Sequence, residues 1–248
     1  MMYLVDADIV AFKAAAAVER PVQWDDDLWT LHAYESEGID YCTQYFDRIL
    51  AKLGDADFQL FLTDKENWRR DVLPSYKAHR SNTRKPLILS ALKQHMLEHW
   101  SAVMVPTLEA DDLLGITATT DADCIIVSED KDLLTIPTKV FNPAKDEEPR
   151  QLSAFQAFYN HMFQTLVGDR TDGYEGCPSI GPVKAHRVLQ DATTEAELWA
   201  AVVDAYKKNK LSEAAALQQA QVARICHASD FNFDTGKVTL WNPTMLTQ

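Results

Sequence analysis

Short runs of apolar residues alternate with amphipathic segments over the first two thirds of the chain. The runs have the length of β-strands and read "MMYLV", "FQLFL", "AVMV", "CIIV" and "KVF". The intervals between them carry apolar residues at helical spacing, as in "YCTQYFDRILAKL" and "LILSALKQHMLEHW". Because strands that alternate with helices usually pair in parallel, this pattern predicts an α/β fold with a central, mostly parallel twisted sheet.

The pattern changes after about residue 160, where the strand-like runs stop. The segment "GDRTDGYEGCPSIGPVKAHRVL" contains four glycines and two prolines, and it predicts two turns that join helices. Further on, "LSEAAALQQAQVARICHA" predicts a helix and "FNFDTGKVTLWNP" predicts a hairpin. The last third is therefore expected to be mainly helical.

Acidic residues come just after three of the predicted strands, at Asp6, Asp64 and Asp130. In open parallel sheets, ligands bind beyond the carboxyl ends of the strands, so these side chains are expected to face one cleft. Further acids adjoin apolar residues in clusters: Asp6 with Asp8, Glu109 with Asp111 and Asp112, Asp130 with Asp132, and Asp169 with Asp172. Capping of helices by Asp is an alternative for any one of them, but it does not explain the doubled acids.

Clusters made only of carboxylates favour hard cations, and Mg²⁺ or Mn²⁺ is the natural choice. Two such ions about 4 Å apart would support in-line displacement at a phosphorus atom. Bound cations would also offset the repulsion between the acids. The acids therefore indicate metal-dependent phosphoryl chemistry.

The net charge of the chain is −13, which as a whole disfavours a polyanionic partner. One segment departs from this balance, because residues 65–93 contain eight Lys or Arg against two acids. Trp68, Tyr76 and His79 lie among these cations, which favours nucleic-acid binding over the alternative of a merely solvated face. The four cysteines have no zinc-like spacing, and no run is long and apolar enough to span a bilayer, so a reduced cytosolic compartment is expected.

Taken in order, the motifs resemble those of the 5'-nuclease superfamily, and most closely those of the 5'-3' exonucleases of bacteriophages. The matching segments are "LVDADIVAFKAAAA", "WRRDVLPSYKAHR", "KPLILSALKQH", "LEADDLLGITAT", "IIVSEDKDLLTIP", "QTLVGDRTDGYEGCPSIGPVKAHRVL" and "VTLWNP". The resemblance implies a PIN-like α/β core with helices on both faces of the sheet over residues 1–160. It also implies a basic arch at about 65–95 and a helix-two-turns-helix region with the C-terminal segment over 161–248.

The resemblance implies a site of two Mg²⁺ or Mn²⁺ ions. Its acids are Asp6, Asp64, Glu109, Asp111, Asp112, Asp130, Asp132, Asp169 and Asp172. Lys77 and Arg80, in the family's "YKxxR" pattern at the base of the arch, would act on the reacting phosphate. The arch segment is short, so the resemblance leaves open whether a DNA strand threads through it or lies in an open groove.

DNA contacts are implied for residues of the arch and of the glycine-rich turns. They are Arg69, Tyr76, Lys77, Arg80, Arg84, Lys85, Gly176, Ser179, Gly181 and Lys184. The carbonyl groups of Ser179 and Ile180 would hold a K⁺ ion against a duplex phosphate. The implied function is metal-dependent 5'-3' hydrolysis of DNA at 5' ends, nicks or flaps, with RNA–DNA hybrids as a further substrate, by a monomer in the cytoplasm of a phage host.

Two residues depart from the family pattern, and two other functions compete with the nuclease. Asp8 is expected to cap a helix, and Glu129 adds charge beside "DKD" with no evident role. A haloacid-dehalogenase-like phosphatase would explain "YLVDADIV", with Asp6 as nucleophile, but not "LEADD" or "SEDKD". A noncatalytic DNA-binding module would use the basic segment but would not need the acids.

Overall fold

The structure is a computed structural model that describes residues 1–121 and 123–247, without the side chains of residues 81, 82 and 247. Its main sheet contains five strands in the order β4-β1-β5-β6-β7, and two hairpins supply the remaining strands. The strands are β1 (Met2–Asp6), β2 (Arg20–Asp25), β3 (Leu28–His32), β4 (Asp57–Phe61), β5 (Cys124–Val127), β6 (Lys139–Phe141), β7 (Arg150–Gln151), β8 (Phe231–Asn232) and β9 (Lys237–Val238).

The first four strands of the main sheet are parallel, and only the edge strand β7 is antiparallel. All four residues of β5 are buried, as expected for a strand covered on both faces. This confirms the predicted fold class. The run "AVMV" is the exception, since it forms a single parallel bridge between Val103 and Phe61 and no strand of its own.

Helices cover both faces of the sheet. They are α1 (Ala7–Val18), α2 (Glu35–Leu53), α3 (Arg69–Val72), α4 (Leu89–His99), α5 (Ala110–Thr120), α6 (Ala154–Val167), α7 (Pro182–Leu189), α8 (Glu195–Lys208) and α9 (Glu213–Ala223). Helices α1, α2 and α4 pack on the face to which Tyr3 and Val5 point. Helix α5 packs on the opposite face, where Leu4 lies, because successive strand residues point to opposite sides.

Helices α6 to α9 enclose a third apolar core that contains Met162, Leu198, Val202 and Trp241. Helix α8 begins with a capping box, in which Thr194 accepts from the backbone of Glu197 and Glu197 accepts in return. The helix predicted from "LSEAAALQQAQVARICHA" ends at Ala223, so "RICHA" lies outside it. None of the helices in the described part of the chain is long and apolar enough to cross a membrane.

The two hairpins differ in how well the sequence predicted them. The terminal pair β8–β9 confirms the hairpin expected around "DTGK". The pair β2–β3 was not predicted, because its apolar side chains are not buried in a core. Trp24 and Trp29 there are 63% and 56% exposed.

Candidate active site

Asp6 ends β1 and begins α1. Its Oδ1 accepts from the backbone amides of Asp8 and Ile9 at 3.1 and 3.3 Å, and its Oδ2 accepts from Ser128 Oγ at 3.2 Å. Asp6 is therefore the N-cap of α1, and the prediction that Asp8 caps this helix was wrong. Asp8 instead accepts from the backbone amide of Thr63 at 3.0 Å and pairs with Lys93 at 2.5 Å.

Asp6, Asp111 and Asp130 form the first acidic group, called here the β1 group. Burial, followed by the charges of Asp8 and Asp130, raises the pKa of Asp6 to about 7. The pKa of Asp111 is raised by burial and then by the charges of Asp6 and Asp130. Carboxylates that shift one another in this way lie close together with too little positive charge to compensate them.

Asp132, Asp169 and Asp172 form the second acidic group, the loop group, which adjoins the first through Asp130. Burial, and then the charge of Asp130, raises the pKa of Asp132 to about 7, and Asp169 and Asp172 add to the effect. Asp132 Oδ1 also accepts from Gln164 Nε2 at 2.8 Å. Lys131 reaches Asp169 at 3.2 Å across the open side of the group.

The turn at the base of the predicted arch joins acids from different elements. The Tyr76 hydroxyl donates to Glu109 at 2.9 Å and lies 3.1 Å from Asp172. Lys77 Nζ lies 2.5 Å from Glu109 and 3.5 Å from Asp172, and Arg80 pairs with Asp172 at 2.6 Å. Although burial opposes its charge, Glu109 and Asp172 raise the pKa of Lys77, so its ammonium group stays protonated beside them.

This turn rests directly on the loop that carries Asp172. The Lys77 amide donates to the Asp172 carbonyl at 2.7 Å, with Lys77 itself in the left-handed region at φ 51°. Gly173 has φ +82°, and a Cβ atom there would lie 2.9 Å from the Ser75 carbonyl oxygen. The close approach needs glycine, a requirement that the sequence alone did not reveal.

Arg69 and Asp112 form a buried ion pair. The guanidinium group of Arg69 makes two 2.8 Å contacts with Asp112 and one 3.1 Å contact with Glu109. Asp112 also accepts from Trp68 Nε1 and the Cys226 amide. Arg69 is 3% exposed and Asp112 is 0% exposed, so in this structure the two side chains compensate each other's charge inside the protein.

Asp64 lies apart from the two acidic groups in its interactions. Its Oδ2 accepts from the amides of Thr107 at 3.0 Å and Glu66 at 3.4 Å. The Thr107 bond is the main cause that lowers the pKa of Asp64 below its usual range. Asp64 remains partly exposed.

Two ion pairs between distant elements give a role to lysines that were not among the predicted site residues. Glu129, which had no evident role, pairs with Lys13 of α1, and Lys93 of α4 pairs with Asp8. No local sequence signal connects these partners, because more than 80 residues separate the members of each pair. Both lysines lie on the helices that flank the β1 group.

The donor set fits divalent cations with oxygen ligands. Among residues 1–121 and 123–247, no three carboxylate, imidazole or thiolate side chains are already gathered closely enough to form a complete ion site. The raised pKa values of Asp6, Asp111 and Asp132 nevertheless mark a local excess of negative charge in a buried cleft. Mg²⁺ or Mn²⁺ would neutralise that excess, and Mg²⁺ keeps several waters and needs few protein ligands.

A later part of the predicted arch is fixed to Glu19, the residue that follows α1. Arg84 makes two contacts with Glu19, at 2.5 and 3.0 Å, and the Leu87 amide donates to Glu19 at 2.9 Å. Lys85 is exposed beside them. Only three residues therefore lie between Arg80, which contacts Asp172, and Arg84.

The glycine-rich segment forms tight turns before α7. Gly176 has φ +69°, and a Cβ atom there would lie 2.4 Å from the Gly168 amide nitrogen. Ser179 adopts φ +63°, and Gly181 is the N-cap of α7. The Ser179 carbonyl oxygen, predicted to hold K⁺ together with that of Ile180, accepts a hydrogen bond from Lys184 Nζ at 2.9 Å.

A groove of about 470 Å³ lies between these turns and α8. Lys184, Arg187 and Lys208 line it, together with Ser179 and Ile180. Arg187 and Lys208 were not among the residues predicted to contact DNA, because the prediction followed the glycine-rich turns, whereas these two side chains come from the helices α7 and α8. The groove is positively charged and separate from the two acidic groups.

The comparisons with known proteins agree with this geometry. Residues 1–160 match the family model described as the 5'-3' exonuclease, N-terminal resolvase-like domain. The chain is 29% identical to the exodeoxyribonuclease of Enterobacteria phage T3, with 97% of this chain and 92% of that protein covered. It is 26% identical to the exonuclease of Escherichia phage T7, with 97% and 93% covered.

A solved complex of the flap endonuclease of bacteriophage T5 with DNA and metal ions has a similar fold. The TM-score is 0.63 at 13% identity, and the match covers 90% of this chain and 88% of the other. Since the family model matches well over half of the chain, the protein belongs to the 5'-3' exonuclease family, as the motifs predicted. By class it is a 5'-3' DNA exonuclease or flap nuclease of the 5'-nuclease superfamily.

Proposed function

We propose that the protein hydrolyses phosphodiester bonds of DNA from 5' ends, and also cuts at nicks and flaps, in a reaction that depends on divalent metal ions. The observation that supports this most strongly is the contact between the Tyr76–Lys77 turn and Glu109 and Asp172. This basic turn touches both sides of an acidic cleft in a 5'-3' exonuclease fold. A phosphate of the DNA would bind there.

We assign two Mg²⁺ or Mn²⁺ ions to the cleft. Asp6, Asp111 and Asp130 would hold one, with Glu109 and Asp64 at its edge, and Asp132, Asp169 and Asp172 would hold the other. The ions would supply Lewis-acid activation of water and stabilisation of charged phosphate oxygens. Asp112 is assigned no ion, because its oxygens are taken by Arg69, Trp68 and Cys226.

In this proposal Lys77 and Arg80 bind the reacting phosphate. Without DNA their cationic groups rest on Glu109 and Asp172, which holds them beside the cleft. A phosphate placed there would meet preorganised positive charge, which stabilises the negative charge that develops on its oxygens during displacement. Tyr76, which is 3% exposed, positions Glu109 and Asp172 and does not stack on a base.

The duplex would lie across Arg84 and Lys85 and reach the turns at Gly176, Ser179, Gly181 and Lys184. RNA–DNA hybrids are proposed as a further substrate, and a monomer in the host cytoplasm as the working form. We also propose the division into a core over 1–160, with the basic segment at about 65–95, and a DNA-anchoring region over 161–248. These assignments rest on the family resemblance.

The direct test is release of label from a 5'-labelled duplex with Mg²⁺, with chelator and with Ca²⁺. We expect release with Mg²⁺ only, and a panel of blunt, nicked, flapped and hybrid duplexes would rank the substrates. Lys77→Met should depress the chemical step more than duplex binding. Cleavage that persists in chelator, or phosphate trapped on Asp6, would reject the nuclease and support a phosphatase, whereas DNA binding without cleavage would support a noncatalytic module.

A further inference from the structure

The turn before α7 already holds a positive charge, which is the ammonium group of Lys184. Lys184 belongs to the first turn of that helix, and its ammonium group donates to the Ser179 carbonyl oxygen at 2.9 Å, an ordinary hydrogen-bond length. Ser179 is fixed in the left-handed region, which sets the direction of its carbonyl group. The site that the family resemblance assigns to K⁺ thus has one of its two carbonyl ligands occupied by a charged side chain.

Neighbouring carbonyl groups of the same turn also have donors. The Cys177 carbonyl accepts from the Ile180 amide at 3.1 Å, and the Gly181 carbonyl accepts from the Ala185 amide at 3.0 Å. A K⁺ ion binds where carbonyl oxygens replace its hydration shell. Three carbonyl groups around the turn, those of Cys177, Ser179 and Gly181, therefore already accept hydrogen bonds and are less available to an ion.

Electrostatics also disfavours a second cation at this point. Two like charges that share one oxygen atom repel each other, and they do so more strongly at a protein surface than in bulk water. A K⁺ ion on the Ser179 carbonyl would lie close to the Lys184 ammonium group on the same oxygen. To bind there it would have to displace the ammonium group.

We propose that the duplex anchor of this protein works without K⁺, because the Lys184 ammonium group supplies the positive charge that the ion would otherwise bring to the turn. The ligand of this site is a phosphate of the DNA backbone, received in the groove beside Lys184 and Arg187. Arg187 has no ion-pair partner in the part of the chain that the structure describes, so its guanidinium group is free for a phosphate. This inference rests on the proposed function of duplex binding by the turn.

The test compares duplex binding in potassium and sodium chloride at equal concentration, with Ca²⁺ present, by fluorescence anisotropy of a labelled nicked duplex. The wild-type protein should bind equally in both salts, within about twofold, because counterion release does not distinguish the two ions. Lys184→Met should weaken duplex binding in sodium chloride. Part of the lost affinity should return in potassium chloride, because the freed carbonyl group can then hold K⁺.

Lys208→Met is the matched control. It also removes one positive charge from the groove, but Lys208 pairs with Asp204 at 2.6 Å and does not touch the turn carbonyl group. It should therefore weaken binding by the same factor in both salts. Recovery in potassium by Lys208→Met as well as by Lys184→Met would contradict the role given to Lys184.

The melting temperature of the protein without DNA gives an independent reading. It should be the same for the wild type in potassium, sodium and choline chloride, and potassium alone should raise it for Lys184→Met. Stronger wild-type binding in potassium than in sodium, or a wild-type melting temperature raised by potassium alone, would overturn the inference. Absence of duplex binding in every salt would instead reject the proposed function, while the melting temperatures would still decide whether the turn holds K⁺.

Discussion

Asp111 and Asp112 are adjacent on α5, yet they lie in regions with opposite electrostatics. Asp112 is enclosed by Arg69 and three further donors, and although burial opposes its charge, Arg69 lowers its pKa. Asp111 faces Asp6 and Asp130, and burial together with these charges raises its pKa. The first region has its charge compensated within the protein, and the second requires charge from outside.

The difference separates a structural role from a functional one. A buried carboxylate with a complete set of donors stabilises the fold only while its partners are present. A carboxylate among other carboxylates costs stability, and such arrangements are concentrated at functional sites. Removal of a charge should therefore lower the stability of the protein in the first region and raise it in the second.

The largest effect on stability is expected for Arg69→Met. The change leaves Asp112 buried without its main counter-charge, and removing one partner of such a pair costs about 3–5 kcal/mol. Urea denaturation followed by circular dichroism would measure the loss in the free energy of unfolding. Lys85→Met, on the surface, serves as control and should change it by less than about 0.5 kcal/mol. A similar small change for Arg69→Met would remove the distinction between the two regions.

The second prediction concerns Asp111→Asn, which should act in the opposite direction on stability. Without metal, it should raise the melting temperature, because it removes one of three mutually repelling acids. Cleavage with Mg²⁺ should nevertheless fall by about 10²–10³-fold, as when other preorganised electrostatic groups are removed from active sites. Asp112→Asn should lower the melting temperature instead. Equal shifts for both variants, in calorimetry with chelator, would contradict the comparison.

The pH dependence of the melting temperature should reveal the uncompensated negative charge around Asp6 and Asp132. The folded-state pKa values of Asp6 and Asp132 are raised to about 7, so the folded protein binds more protons than the unfolded chain between about pH 4 and 7. In chelator, the melting temperature should therefore rise as pH falls from 8 toward 6.5, and Mg²⁺ should suppress this rise.

Two buried histidines oppose this stabilisation at lower pH. Burial lowers the pKa of both His161 and His227 to about 3, so below about pH 6.5 the unfolded chain takes up protons that the folded protein does not. This effect opposes that of the acids and should flatten the curve. A melting temperature that climbs steadily from pH 6.5 to 8 in chelator would contradict the assignment of excess charge.

The smallest effect is expected at Gly173, in the loop where the Lys77 turn meets Asp172. Gly173→Ala should cost about 1–2 kcal/mol of stability through the left-handed backbone alone. It should also slow cleavage, because its Cβ atom would meet the Ser75 carbonyl oxygen 2.9 Å away and shift Lys77. Gly236→Ala is the control, with φ +65° and open space around its Cβ atom. Single-turnover rates that fall equally in both variants would show that Gly173 does not position Lys77.

The sequence predicted the sheet because its signals are local. "CIIV" and "FQLFL" are apolar enough to be recognised as strands, and the acids beyond them indicated the cleft. "AVMV" has a similar pattern but lies beyond the edge strand β4 and makes one bridge. The β2–β3 hairpin was missed for the opposite reason, since its tryptophans are exposed and do not contribute to a core.

The roles of individual site residues were harder to predict. Arg69 stands in a basic segment, and its burial against Asp112 depends on the packing of α3 on α5 and on residues 222–226, about 150 positions away. Lys13 and Lys93 meet their acids through α1 and α4. Sequence reveals which carboxylates are present, but the cation that neutralises each one is set by tertiary contacts.

The contacts of Arg80 with Asp172 and of Arg84 with Glu19 have a topological consequence. Four residue steps between these anchors span about 14 Å even when fully extended, which is too short to encircle a polynucleotide while both contacts hold. DNA would then enter from the side, and a free 5' terminus would not be a geometric requirement. A flap on circular DNA should therefore still be cleaved when a bulky protein blocks its 5' end. The flap would not have to be threaded through a closed arch.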